Sequence, residues 1–211
     1  MKNHHAGKVL VLALLGLFML SACSADTASE ETTAPVPDAT ELMPVLSEEA
    51  GDADRLPEGF ETSEAYTAEA LRMLAQSSYG DHFVAEGVNG ELCLITVAAP
   101  KEQGMEPEVA ASTCPPVEHV AENGILLAVT GGESSFDVVT FLLPPDISEQ
   151  TATETINKLV PNNHTDLRPA VEILSNDSAV LLVMTSETSQ ELGDFQLPRP
   201  NGDSLTIRPL D

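Results

Sequence analysis

Tryptophan is absent from the 211-residue chain, tyrosine occurs twice and phenylalanine six times. A core must therefore come from Leu, Val, Ile and Met, and the rings that commonly line sugar sites are largely missing. Basic residues are the second deficit: nine Lys and Arg stand against 34 Asp and Glu, a formal net charge of −25. Phosphate backbones are held by clusters of Lys and Arg. Nucleic acid is thus excluded as a partner, and an anionic lipid surface should repel the bulk of the chain. Such acidity suits solubility and an extended tail, while attraction of cations or of a basic partner, or an adaptation to salt, would look similar. Cysteine is the third scarcity, with three residues and no C-x-x-C spacing. His82, His119 and His164 lie singly along the chain. Neither pattern matches a metal centre, and no metal or other cofactor is expected. No apolar run approaches the roughly 20 residues of a membrane-spanning helix.

The longest such run, Val9 to Leu20, follows a start that carries Lys2 and Lys8 without an acid, and it ends in Ser21 and Ala22. Basic start, short apolar core and small residues make a secretory signal. In place of an ordinary cleavage site, Leu20-Ser21-Ala22-Cys23 resembles the lipobox of bacterial lipoproteins, whose cysteine is diacylated and becomes the new N-terminus. That resemblance implies residues 1–22 as signal, Cys23 as the lipidation site, and a protein held to the extracytoplasmic face of a cell membrane by its anchor. Two acyl chains suffice for stable attachment, since each buried methylene contributes about 0.8 kcal/mol. Ser24 leaves open which membrane of a two-membrane cell is used. Losing Lys2 and Lys8 takes the net charge from −25 to −27. Cysteine parity also follows: with Cys23 acylated, Cys93 and Cys114 remain as one disulfide pair outside the cytoplasm.

Residues 24–56 hold nine acids, one base and no aromatic residue among Ser, Thr, Ala and Pro. A segment of that composition buries too little apolar surface to offset its ordering entropy. Residues 23–56 are expected to form a disordered acidic linker, with "ELMPVL" as the one stretch that could act as a docking motif. Residues 57–211 suit a single domain. "SEAYTAEALRMLAQSS" predicts a helix capped by Ser63, because Ala68, Leu71, Leu74 and Ala75 recur at helical spacing. Two β-prone runs then flank Asn89-Gly90, a hairpin signal; a two-residue loop would set Val88 against Glu91 and Glu86 against Cys93. "PPVEHVAENG" predicts a turn or two of helix stopped by Gly124. Strands are expected at "ILLAVT", "FDVVTFLLPP" and "AVLLVMT", and a last hairpin turns at Asn201-Gly202, with Pro198 and Pro200 pushing its first arm towards a sheet edge. Residues 146–177 read as either helix or strand. The expected class is α+β, a mainly antiparallel sheet with one or two short helices, preceded by a disordered acidic tether.

Candidate chemistry is thin. "GGESSF" lacks the second glycine of a nucleophile elbow, so Ser134 and Ser135 read as turn residues. "GDADRLPEGFE" offers Asp52 and Asp54 to calcium but fails at Leu56 and Pro57. His119 has Glu118 and Glu122 nearby in sequence and reads as a surface histidine on a short helix. "GVNGELC" opens no helix and has no phosphate-binding context. Asn163-His164-Thr165 and Asn176-Asp177-Ser178 match glycosylation acceptors, which carry little meaning in a bacterial chain. The stretch from Ala65 to Val97, with "STCPP" and a glycine-stopped turn beyond it, resembles uncharacterised secreted and lipid-anchored proteins of high-GC Gram-positive bacteria. The resemblance implies the Cys93–Cys114 pairing and a cell-surface location, and brings no catalytic residue. The expected function is a non-catalytic module at the cell envelope that binds an envelope protein or a small ligand. Two rivals stand beside it: an envelope hydrolase whose carboxylates converge only in three dimensions, and a structural accessory lipoprotein.

Overall fold

Apolar runs flanked by glycine-bearing turns become ten antiparallel strands in the computed structural model, which describes residues 37–160 and 169–208. The first sheet holds β1 (Leu71–Ser77), β2 (Gly80–Glu86), β3 (Leu92–Ala98) and β4 (Ala110–Thr113) in that spatial order. A second sheet holds β5 (Ile125–Val129), β6 (Val138–Leu142), β7 (Val171–Ser175) and β8 (Val180–Thr185), ordered β5-β6-β8-β7. β9 (Phe195–Pro198) and β10 (Ser204–Ile207) pair with each other alone. Four short helices accompany them: α1 (Ala39–Leu42), α2 (Val117–Asn123), α3 (Glu149–Leu159) and α4 (Ser186–Leu192). The α+β class holds, with two four-stranded sheets facing each other in place of one.

Strand alternation explains three apolar layers. Val84, Leu92, Leu94, Val138, Leu142, Leu181 and Val183 point between the sheets. Their neighbours Val139, Phe141, Leu182 and Met184 point outward from the second sheet, where α3 and the β9–β10 hairpin cover them. On the first sheet Phe83, Cys93, Ile95 and Val97 point outward beneath Leu56, Phe60 and Tyr66. Each such side chain, fully buried, is worth about 1.5–3 kcal/mol. Both sheets are therefore covered on both faces.

That double burial corrects the helix expected from Ser63. Residues 68–70 make one 3₁₀ turn and 71–77 are β1. A bulge between Met73 and Ala75 shifts the register against β2, so Leu71 faces the outer layer and Leu74 the layer between the sheets. Leu71 and Leu74 are both buried, three residues apart, and a two-faced strand imitates helical spacing. The following hairpin also differs from expectation. Glu86 faces Leu92, and Ala85 faces Cys93. Gly87 N–H donates to Glu91 O at 2.8 Å, leaving Val88, Asn89 and Gly90 as a three-residue loop with Gly90 at φ 77°. The positive φ falls on the third loop position, the pattern of a type I turn closed by a glycine bulge.

The linker expected over 23–56 gives way to structure well before 57. Asp38 caps α1, its carboxylate accepting from Glu41 N–H and Thr40 Oγ1, and these bonds hold its pKa below the usual carboxylate value. Ala39, Leu42 and Met43 enter the layer between the sheets. Beyond them, Val45 N–H donates to Ser178 Oγ, and the Arg72 guanidinium donates twice to Glu48 O. "ELMPVL" is thus an internal docking segment. The ambiguous stretch from 146 resolves into α3, capped by Ser148 with Ala152 and Ile156 buried one turn apart, followed by β7. The helix expected before Gly124 forms as α2. Gly124 sits at φ 72°, and a Cβ there would lie 2.3 Å from Leu142 O.

Candidate functional site

Strand parity places His82 of β2, Thr96 of β3 and Thr140 of β6 on the inner faces, where all three are fully buried. His82 Nε2 lies 2.9 Å from Ser77 Oγ, and its Nδ1 lies 3.1 Å from Thr96 Oγ1 and 3.3 Å from Thr140 Oγ1. Ser77 Oγ already donates to Gly80 O and accepts from Tyr79 N–H. One set of proton positions therefore satisfies every group. Thr96 donates to Thr140, Thr140 donates to Nδ1, and Nε2–H donates to Ser77. A histidine acting as base exchanges its proton with a group that substrate can reach, whereas this ring is fully buried. Desolvation lowers the pKa of His82 to about 4, so the ring is neutral in this chain of bonds. Its role is to link the two sheets across an otherwise apolar layer.

The residues singled out in the sequence do not converge elsewhere on catalytic geometry. Cys93 and Cys114 are joined, S–S 2.05 Å, between neighbouring strands. Cys23 and His164 lie outside the described residues. Asp54 caps β1, accepting from Met73 N–H at 2.6 Å and Gly51 N–H at 2.7 Å, and Asp52 pairs with Arg55 at 3.5 Å. Ser134 donates to Glu108, whereas Ser135 buries a hydroxyl without a hydrogen bond. Asn176 closes the β7–β8 turn by accepting from the amides of Ser178 and Ala179. Among the described residues, no group of three or more His, Cys, Asp or Glu could hold a metal ion.

Two clefts remain. One, of about 340 Å³, lies where the chain enters the fold, between Leu42 to Pro44, Pro144-Pro145 and the β7–β8 turn. The other, of about 470 Å³, gathers His119 and Glu122 of α2 with Arg199, Ser204, Thr206 and Arg208 of the C-terminal hairpin. On α2, His119 and Glu122 stand three apart and share a face, away from the buried Val117 and Val120. Along β10, Leu205 and Ile207 are buried, so Ser204, Thr206 and then Arg208 face outward together. That alternation was readable in "SLTIR". Its meeting with α2, about 80 residues earlier in the chain, was not. No protein-family model matches the chain, and no curated protein or solved structure is similar to it.

Proposed function

We propose that this protein is a lipid-anchored, extracytoplasmic binding module of the cell envelope, attached through Cys23. The observation that carries binding over covalent chemistry is the complete burial of His82. Among the described residues, the one histidine hydrogen-bonded to a serine hydroxyl is sealed between the sheets, while ionic and hydroxyl groups line an open cleft. The location is supported by the apolar run, the Leu20-Ser21-Ala22-Cys23 sequence and the acidic residues that follow. Under this reading residues 1–22 are removed, two acyl chains hold Cys23 in the bilayer, and the folded part stands outside it.

Membrane fractionation of cells expressing the full chain and its Cys23→Ser variant tests the anchor. The parent should sediment with membranes and leave them only in detergent, and the variant should leave the membrane fraction. An unchanged membrane fraction for Cys23→Ser would refute the anchor.

A further inference from the structure

We infer that the cleft between α2 and the C-terminal hairpin binds a zwitterion, a free apolar α-amino acid or the termini of a very short apolar peptide. This inference rests on the binding reading above. The described residues contain six Lys and Arg, and two of them, Arg199 and Arg208, line this one cleft. Arg199 is fixed before any ligand arrives. Its Nη2 donates to the Glu122 carbonyl, and its buried Nε lies 3.2 Å from Asp146 Oδ2 in an ion pair without making a hydrogen bond, while Nη1 makes no hydrogen bond among the described residues. Among the described residues Arg208 pairs only with Asp194, at 3.6 Å with both side chains largely exposed. Such a pair contributes little and is readily exchanged for a better one. Ser204 and Thr206 present hydroxyls that make no hydrogen bond within the described residues, and both project on the side of β10 that faces the cleft. These groups together match a carboxylate, which takes paired donors from a guanidinium.

The opposite charge is also present. The Glu122 carboxylate has no hydrogen bond or ion pair within the described residues and lies more than 4.0 Å from the nitrogens of both arginines. An ammonium group would meet it. A dianion such as phosphate would be repelled by Glu122, and a plain fatty acid would leave that carboxylate facing hydrocarbon. Leu126, Phe141 and Leu205 supply apolar wall between the charged groups. About 470 Å³ accommodates an amino acid with a branched or aromatic side chain. The positive and negative groups set its direction, and the apolar wall takes its side chain.

Calorimetric titration of the full-length chain in detergent tests this with L-leucine, leucinamide, N-acetyl-leucine and inorganic phosphate. L-leucine should bind saturably, and each of the two blocked forms should bind roughly tenfold more weakly, the loss expected when one charged partner goes unpaired. Arg208→Gln should weaken leucine and N-acetyl-leucine but spare leucinamide. Glu122→Gln should weaken leucine and leucinamide but spare N-acetyl-leucine. Both positions are exposed, so unchanged circular dichroism would separate binding from folding. The inference is overturned if neither L-leucine nor L-phenylalanine binds, if phosphate binds more tightly than leucine, or if binding survives both substitutions. Because Cys23→Ser is read in the membrane fraction and this titration in solution, failure of one leaves the other standing.

Discussion

At His82 a single imidazole sets a pH limit on the fold. In the unfolded chain the ring takes up a proton near pH 6.5, whereas burial lowers its folded pKa to about 4. Between those values the unfolded state binds more protons, so stability falls as pH falls from about 6.5 to about 4 and is unaffected by this group above 6.5. The loss is on the order of 3 kcal/mol at the acid end. Urea unfolding at pH 7 and pH 4.5 should show a larger drop for the parent than for His82→Gln, since carboxylate titration is common to both. Equal drops would mean that the ring is not held neutral. Little of this was legible in the sequence, where His82 stands singly between Asp81 and Phe83 at the start of a β-prone run. Its partners were hidden, because Thr96 and Thr140 reach it only once two sheets have stacked.

The elements show where local pattern suffices. α2, β5, β6, β8 and the last hairpin carry their own start and stop signals, and they form where the residues place them. β1 misleads because Leu71 and Leu74 go to opposite faces across the bulge at Met73–Ala75, which spaces its buried residues as a helix would. α1 is hidden for the opposite reason. Four residues in an acidic segment have no helix-forming power alone, and their order comes from Leu42 and Met43 filling a space made by later strands. Met43→Ala should therefore cost about 2–4 kcal/mol in denaturant unfolding, as for any buried methionine. A negligible effect would restore the picture of a linker running to residue 56. The candidate cleft was half legible: His119 and Glu122 stand out on α2, while the two arginines that line the cleft with them come from the chain's far end.

Over the whole molecule, 34 acids against nine bases leave most carboxylates facing like charge. Salt should consequently stabilise the fold, since screening at about 0.5 M shortens the range of repulsion to a few ångströms. The urea midpoint should rise between low and high NaCl. A fall would mean that the three ion pairs among the described residues outweigh the general repulsion. The entry segment has a further, mechanical consequence. Under the proposed anchor, 13 residues separate Cys23 from Pro37, at most about 50 Å if fully extended, where the 33 residues of the expected linker would reach further. Tension on an anchored N-terminus would pass through Asp38–Ser47 and divide there, to the first sheet through Arg72 and Glu48 and to the second through Ser178 and Val45. Both halves of the sandwich would be pulled in parallel, so drag on the cell surface would load the fold as one body instead of prying its sheets apart.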